Sequence, residues 1–190
     1  PPQTVGGSGM SQTLTLTTQQ LPEQVGTLSA GDRVLLSGIV HTSRDAAHKR
    51  ILALLDEEKP LPYPLRDAVI YYSGSTPAPE GLPIGACGPT TSGRMDPYTP
   101  RLHDLGLCAT IGKGRRSPEV VEAIRRNGAV YLCAVGGAGA LAARSVVSCE
   151  VIAFEDLGCE AVKRLEIRDF PLIVGVDCHG GNLFAEAKNR

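Results

Sequence analysis

The chain alternates short β-prone apolar segments with helical segments, and this pattern limits the fold more than any other feature of the sequence. The predicted strands are residues 13–17, 32–41, 67–72, 107–111, 129–135, 148–154, 161–168 and 171–178. The predicted helices are residues 43–57, 97–105, 117–127 and 136–144. Such alternation indicates an α/β fold with a mostly parallel or mixed sheet flanked by helices, in which the first and last strands can pair antiparallel. Residues 19–31 and 74–83 are predicted to be loops.

Local signals mark the ends of two helices. Ser117 is a typical N-cap, and Pro118 follows it at the first helical position. This helix is predicted to end at Asn127-Gly128, because glycine readily adopts the left-handed conformation that closes a helix. Ser43 is the candidate N-cap of the helix over residues 43–57.

Length and charge set broad limits on function. The chain has 190 residues and a net charge of −1, and we predict a single domain over residues 10–190. Residues 1–9 are predicted to be a cloning remnant before a native start at Met10. The only basic run is residues 114–116, which argues against a nucleic-acid partner. Neither a membrane-length apolar run nor a signal peptide is visible, so we predict a cytoplasmic protein with no membrane contact.

The six cysteines form no C-x-x-C pair, and five of them lie in apolar, strand-like segments. Zinc and iron–sulfur sites normally show clustered ligands. We therefore predict that these cysteines are buried small hydrophobic residues in a reducing compartment, with no metal bound by this chain. The cysteines are Cys87, Cys108, Cys133, Cys149, Cys159 and Cys178.

Residues 88–96, here called the central turn, read Gly-Pro-Thr-Thr-Ser-Gly-Arg-Met-Asp. Glycine and proline in this density predict a shaped turn. It is expected between a short strand at residues 82–87 and the helix at residues 97–105, where free backbone N–H groups can bind anions. Arg94 adds a planar fork that suits a carboxylate or phosphate. The alternative is a tight surface turn in which Arg94 forms a structural ion pair.

Four polar clusters follow predicted strands or begin predicted helices: residues 43–45, the central turn, residues 112–114 and residues 177–182. Open α/β sheets bind ligands at strand ends, so we expect the four clusters to meet in one cleft. Arg44, Arg94 and Lys113 would then suit a small dianion such as a dicarboxylate.

Two histidines on predicted helices have different interpretations. His48 lies one turn after Arg44 on the same helix face, from which it would reach the same cleft. A solvated surface histidine is the alternative for His48. For His103, a structural position is favoured.

Residues 137–142 fit the pattern G-x-G-x-x-A after a strand, and Glu155 and Asp156 follow downstream. This pattern matches the sequence fingerprint of a dinucleotide-binding site. The alternative, which we favour, is that small residues let a short helix pack closely on the sheet. Residues 112–114 lack the spacing and the following hydroxyl of a P-loop.

The clusters together resemble a known family. Residues 43–50, the central turn, residues 111–114 and residues 177–183 resemble the β subunit of class I, iron–sulfur-dependent fumarate hydratase. The tartrate dehydratase β subunit shares this pattern. The resemblance covers about residues 32–188, and the G-P-T-T run with its trailing R-M is its most specific part. Gly93 and the M-D-P-Y run at residues 95–98 are more similar to the fumarase branch than to the tartrate branch.

The resemblance implies a swivelling β/β/α domain and the reversible addition of water to fumarate, giving (S)-malate. It implies a separate α subunit, or an N-terminal half in fused members, that holds a [4Fe-4S] cluster whose cysteines are not in this chain. A chain of this kind is inactive alone, and an oligomer of αβ units is left open.

The resemblance also implies roles for particular residues. Arg44 and Arg94 would bind substrate carboxylates, and Lys113 would complete the anion site. Thr90 matches the catalytic base of the family. A threonine hydroxyl is a poor base in water and needs cationic neighbours and a dry site to act as one. Thr91 is the adjacent alternative, and Asp45 and His48 would support the pocket.

Overall fold

The computed structural model describes residues 12–134 and 138–186. Within these residues the strands are β1 Thr13–Thr17, β2 Arg33–Thr42, β3 Val69–Tyr71, β4 Ala109–Gly112, β5 Val130–Ala134, β6 Val146–Ala153 and β7 Val162–Val176. The α-helices are α1 Leu21–Gln24, α2 Asp45–Asp56, α3 Thr99–Asp104, α4 Pro118–Asn127, α5 Ala138–Ser145 and α6 Leu183–Glu186. Short 3-10 helices occupy Val25–Thr27, Ser92–Met95 and Glu155–Glu160.

Five of the strands close into a barrel. β2, β3, β4 and β5 are parallel neighbours in this order, and β7 pairs antiparallel with both β5 and β2. β1 extends the sheet parallel to β2, and β6 extends it antiparallel to β7. The predicted mixed α/β sheet with flanking helices is confirmed. Its closure into a barrel was not predicted, because closure depends on strand pairings that the apolar pattern does not contain.

The barrel closes through β7, which has 15 residues and pairs with β2 along most of its length. The register of this pairing shifts between Leu36 and Gly38. Gly38 has a φ of 122°, and Asp169 on β7 has a φ of 49°. The Asp169 N–H donates to Ser37 Oγ at 2.9 Å, so this donor stays satisfied where the ladder is interrupted. A bulge of this kind bends both strands and lets a sheet curl.

Strand alternation separates an inner core from two outer ones. The inner core contains Val69 and Tyr71 of β3, Ala109 and Ile111 of β4, Val130 and Leu132 of β5, and Leu165, Leu172 and Val174 of β7. On the outer face, Ile70 and Tyr72 pack with Ile51 of α2 and Leu102 of α3. Tyr131 packs with α4. The helices therefore cover the outside of the parallel strands.

The predicted ends of α4 are confirmed. Ser117 Oγ accepts the Val120 N–H at 3.3 Å, and Gly128 closes the helix with a φ of 60°. Within the described part of the chain, no helix is long and apolar enough to cross a membrane.

Three local predictions were wrong. Residues 82–87 do not form a strand, because this segment pairs with the preceding loop and not with the sheet. The Thr76 N–H donates to Ala86 O at 3.0 Å, and the Ala86 N–H donates to Thr76 Oγ1 at 2.8 Å. The predicted strands at residues 161–168 and 171–178 are one strand, β7, which Pro171 does not interrupt. The predicted loop at residues 19–31 contains α1 and a 3-10 helix, both begun by the buried Leu21 and Val25.

Substitution of Gly38 should destabilise the barrel. An added Cβ would meet Thr18 Oγ1 and would force a side chain onto a positive φ. We expect Gly38→Ala to lower the free energy of unfolding by about 2 kcal/mol. Gly26→Ala is the matched control, since nothing lies within 4 Å of its Cβ position, and a change of about 0.5 kcal/mol or less is expected. Urea unfolding measures both, and equal values would contradict a requirement for glycine at the bulge.

Candidate functional site

The carboxyl ends of β2, β3 and β4 lie side by side at one rim of the barrel. The Ser43 N–H donates to Tyr71 O at 3.0 Å, just beyond β2. The Tyr72 N–H donates to Ile111 O at 2.8 Å, just beyond β3. The polar residues that follow these strands are therefore neighbours, as parallel strands require.

The central turn inserts between the ends of β3 and β4. The Thr90 N–H donates to Tyr72 O at 2.7 Å, and the Ser92 N–H donates to Lys113 O at 2.9 Å. Thr91 and Lys113 form a parallel β-bridge. The structure thus brings Thr90 and Thr91 together with Lys113, while Arg94 follows in the 3-10 helix Ser92–Met95.

Gly112 permits this close approach. A Cβ at Gly112 would overlap Ser92 Oγ and would lie 2.8 Å from the Tyr72 ring. Ser92 itself is buried, and its hydroxyl lies 2.7 Å from the Tyr131 hydroxyl. Because the Tyr131 O–H also donates to Gly114 O at 2.8 Å, one phenol links the central turn to residues 112–114. Burial raises the pKa of Tyr131, so the phenol stays protonated as a donor.

A buried arginine that the sequence analysis did not single out anchors the other end of the central turn. Arg116 Nε donates to Asp96 Oδ1 at 2.7 Å, and the Ser117 N–H donates to Asp96 Oδ2 at 2.8 Å. Asp96, the last residue of the central turn, is thereby fixed to the start of α4. The only sequence signal for this contact was an aspartate at the end of the central turn and a second arginine just before a helix.

Three of the other four N–H groups of Arg116 also donate hydrogen bonds. Its guanidinium donates to Thr110 Oγ1 at 3.1 Å, Thr99 Oγ1 at 2.9 Å and Tyr72 Oη at 3.1 Å. It lies over the rings of Tyr72 and Tyr131, at 5.1 and 4.9 Å from their centroids. Burial alone would lower the pKa of Arg116, but Tyr72 and Asp96 outweigh that effect and the pKa is raised. This cation is permanently charged and structural.

Arg94 and Lys113 are in the opposite situation. Both are exposed, and within residues 12–134 and 138–186 neither side chain forms an ion pair or a hydrogen bond. Thr91 is exposed and Thr90 is half-buried beside them. The structural ion pair considered as an alternative for Arg94 is therefore absent from this part of the chain. Two unneutralised cations and two hydroxyls are available to an anion at this rim.

Arg44 reaches the same rim from the end of β2. Its Nε lies 3.9 Å from Glu160 Oε1, and the side chain is about a third exposed. A Cβ at Gly74 would lie 3.2 Å from Arg44 Cδ, so Gly74 makes room for this side chain. Gly74 follows Ser73, whose hydroxyl donates to Gly88 O at 3.0 Å. Arg44 therefore lies beside the segment that leads into the central turn.

His48 contacts the backbone of Arg44 from inside the protein. It is fully buried, so the interpretation as a solvated surface histidine is wrong. Its Nδ1 lies 2.9 Å from Arg44 O and 2.8 Å from Ser43 Oγ. A carbonyl only accepts, so Nδ1 carries the proton and the neutral ring has its lone pair on Nε2. Burial lowers the pKa of His48 to about 4, which keeps the ring neutral.

The prediction that Ser43 is the N-cap of α2 was wrong. The residue that precedes α2 is Arg44, and no side chain caps this helix. The Ser43 hydroxyl contacts His48 instead of a backbone N–H of the first turn. Asp45 begins α2 and is half-buried.

The fourth polar cluster, residues 177–182, lies at the other rim of the barrel. It follows β7, which is antiparallel, so it lies near the amino ends of β2 and β5. Asp177 is buried and accepts N–H groups from Ala30, His179 and Gly181, each at 2.8 Å. Its carboxylate closes a loop, and the expectation that all four clusters meet was wrong.

The dinucleotide pattern lacks its structural context. Gly137 lies outside the described residues, and α5 covers the rest of residues 137–142. The strand after α5 is β6, which pairs antiparallel with β7 instead of parallel with β5. A dinucleotide site needs a parallel βαβ unit at this point.

The cysteines are all free, and Cys87 and Cys108 are buried. Cys133, Cys149 and Cys178 are half-buried, whereas Cys159 is exposed, so the prediction of buried cysteines was wrong for Cys159. Within the described ranges no three His, Cys, Asp or Glu side chains are grouped to hold a metal ion. These residues do not fit an iron–sulfur cluster, which needs several thiolates close together.

A family model described as the fumarase C-terminus matches residues 2–187. The chain belongs to this family.

Individual relatives agree with this assignment. The chain is 37% identical to fumarate hydratase 2 of Leishmania major over 86% of its own length and 29% of that protein. It is 36% identical to the anaerobic class I fumarate hydratase of Escherichia coli (strain K12), over 90% of its length and 32% of the relative. The chain thus spans about a third of these enzymes. It is also 36% identical to a putative L(+)-tartrate dehydratase subunit beta of Methanocaldococcus jannaschii, over 88% of its length and 89% of that protein.

Removal of the Arg116 guanidinium should strongly destabilise the protein. Arg116→Met leaves the Asp96 carboxylate without its partner, and we expect a loss of about 3–5 kcal/mol in the free energy of unfolding. Arg115→Met is the control: Arg115 is the exposed neighbour, and a change of about 0.5 kcal/mol or less is expected. Denaturant unfolding that gave the two variants the same stability would contradict an anchoring role for Arg116.

Stability should fall in mild acid, and His48 is one of three histidines, with His41 and His103, whose pKa burial lowers to about 4. The pKa of His48 is lowered to about 4 in the folded protein, against 6.5 for the free side chain. Between these values the unfolded chain binds more protons, so the free energy of unfolding falls as the pH falls, by up to about 1.4 kcal/mol per pH unit for this histidine. His48→Gln should therefore show a shallower pH dependence in urea unfolding between pH 7 and pH 4.5.

An unchanged slope in His48→Gln would contradict the assignment of this part of the acid sensitivity to the His48 ring.

Proposed function

We propose that this chain is the β-type part of a class I fumarate hydratase, which reversibly adds water to fumarate to give (S)-malate. The observation that carries the proposal is the pair of exposed, unneutralised cations, Arg94 and Lys113, held beside Thr90 at the carboxyl rim of the barrel. The names of the relatives from Leishmania major and Escherichia coli support the substrate.

In this proposal the cations divide the recognition of the dicarboxylate. Arg94 and Arg44 each present a planar guanidinium, which binds a carboxylate through two parallel hydrogen bonds. Lys113 presents a compact charge that can follow the substrate as its geometry changes. Since Arg44 and Arg94 follow different elements at one rim, one guanidinium serves each carboxylate.

Thr90 is the proposed catalytic residue. Its backbone is fixed on both sides, by its N–H to Tyr72 O at 2.7 Å and by its carbonyl to the Lys113 N–H at 3.4 Å. The backbone of Thr90 therefore keeps a defined position beside the backbone of Lys113. A threonine acts as a base only where cations and dryness favour the alkoxide, so closure of this rim by a partner is part of the proposal.

Thr91, Asp45 and His48 have supporting roles in the proposal. Thr91 is the adjacent hydroxyl and the alternative to Thr90. Asp45 begins α2 beside Arg44. His48 binds the Arg44 carbonyl and so fixes the backbone that carries the Arg44 side chain.

We further propose that a [4Fe-4S] cluster is held by a partner α subunit and not by this chain. The support is the scatter of thiols over the described residues, which do not fit such a cluster. Iron and sulfide analysis of the chain alone and of the complex tests this point. The swivelling motion implied by the resemblance belongs to the same proposal, as a movement of this domain against the partner.

L(+)-tartrate is the second candidate substrate. It is favoured by the relative from Methanocaldococcus jannaschii, of which the chain covers 89%. Fumarate and tartrate are both four-carbon dicarboxylates, so Arg44, Arg94 and Lys113 would serve either one. Anaerobic assays with each substrate, by this chain, by the cluster-bearing partner and by the mixture, distinguish them. We expect turnover only in the mixture.

Loss of the Arg94 guanidinium should abolish most activity without affecting the fold. In the assembled enzyme we expect Arg94→Ala to reduce kcat/KM by about 100-fold or more, because one carboxylate loses a bidentate partner. Unfolding should change by about 0.5 kcal/mol or less, since Arg94 is exposed. Arg168→Ala, a change at an exposed arginine on β7, should leave both quantities unchanged. Near-normal turnover by Arg94→Ala would contradict the proposal.

A further inference from the structure

A cavity lies beside the start of β7. It has a volume of about 310 Å³ and is bordered by β6, the start of β7, the end of the 3-10 helix Glu155–Glu160 and the loop at residues 75–84. Its walls include Ile84, Pro83, Cys149, Val151, Cys159 and Lys163. None of the residues proposed above for fumarate lines it.

Among the described residues that line this cavity, Lys163 is the only cation. Its backbone is fixed opposite Val151 of β6, and its N–H donates to Thr42 Oγ1 at 3.0 Å. The residue is only 6% exposed, yet its ammonium has a single hydrogen bond, to Cys159 O at 3.0 Å. An ammonium has three donors, so two remain for an occupant of the cavity.

The charge of Lys163 has no counter-charge in the described part of the chain. Within residues 12–134 and 138–186 no carboxylate forms an ion pair with it, and Glu160, three residues before it, pairs with Arg44. Burial lowers the pKa of Lys163, as expected for an ammonium without an anion beside it. A buried and unpaired charge is costly, and an anionic ligand would remove that cost.

The other walls restrict the ligand further. Pro77, Ala78, Pro83, Ile84 and Val151 present mainly carbon atoms to the cavity. A volume of about 310 Å³ is at the lower end for small-molecule sites, which are typically apolar with a few placed polar groups. The fitting ligand therefore has one anionic head and a short apolar body.

We propose that this cavity is a binding site for a small aliphatic carboxylate. The carboxylate accepts hydrogen bonds from the Lys163 ammonium, and the aliphatic chain lies against Ile84 and Val151. The proposed site shares no lining residue with the site at Arg94 and Lys113, and it does not depend on the reaction proposed above.

Hexanoate is a suitable probe, and hexan-1-ol is its uncharged match. In amide NMR spectra of the full chain, hexanoate titrated to about 20 mM should shift residues 75–84, 149–151 and 158–163 in a saturable way, with a millimolar Kd. Hexan-1-ol should bind at least about tenfold more weakly, because it lacks the charge-assisted hydrogen bond. Shifts that do not saturate, or equal binding of the two probes, would overturn the proposal.

Variants assign the binding to Lys163. Lys163→Met keeps the length of the side chain and should weaken hexanoate binding by about tenfold or more. Ala78→Trp fills the cavity from an exposed loop position, so it tests the site even where Lys163→Met fails to fold. Lys49→Met, a change at an exposed lysine on α2, is the matched control and should bind hexanoate like the original chain. Unchanged binding by Ala78→Trp, or loss of binding in Lys49→Met, would contradict the assignment.

Discussion

The pairing of Arg116 with Asp96 is the interaction on which the candidate site depends. A guanidinium that is fully removed from water is stable only when its charge is neutralised and its donors are used. Asp96 supplies the charge, and Thr99, Thr110 and Tyr72 supply acceptors. These partners belong to the central turn, α3, β4 and the end of β3, so a single residue joins the barrel wall to the loop that carries Thr90 and Arg94. Such a network is stable when complete and costly when any member is missing.

The same residue type has opposite roles a short distance apart. Arg116 is buried and paired with Asp96, and so its charge is hidden from any ligand. Arg94 and Lys113 are exposed and carry no partner in the described part of the chain, so they supply the positive potential at the rim. Buried hydrogen bonds fix the backbone that carries these two charges. They involve Asp96 on one side and Tyr131 and Ser92 on the other. Rigid support beneath exposed charges is what orients a small dianion.

Much of this architecture follows from local sequence, and the remainder depends on long-range contacts. The strand alternation and the ends of α4 were predictable, because Ser117, Pro118 and Gly128 act within one helical turn. The adjacency of Thr91 and Lys113 followed from parallel strands ending at one rim. The position of residues 177–182 could not be predicted from the sequence, because the direction of β7 is set by pairings across the barrel. The role of Arg116 depends on four hydrogen-bond partners spread over residues 72–110, and no local pattern reveals such a network.

The tyrosines give this protein a natural optical probe. The chain has five tyrosines and no tryptophan, so its near-ultraviolet absorption and emission come mainly from phenols. Tyr71 donates to Cys87 O just before the central turn, Tyr72 and Tyr131 flank Arg116, and Tyr98 stacks on His48. Only Tyr63 lies elsewhere, stacked on His41. The near-ultraviolet circular dichroism of the unlabelled protein is therefore largely a spectrum of its candidate site, and a ligand or partner that rearranges the central turn changes it directly.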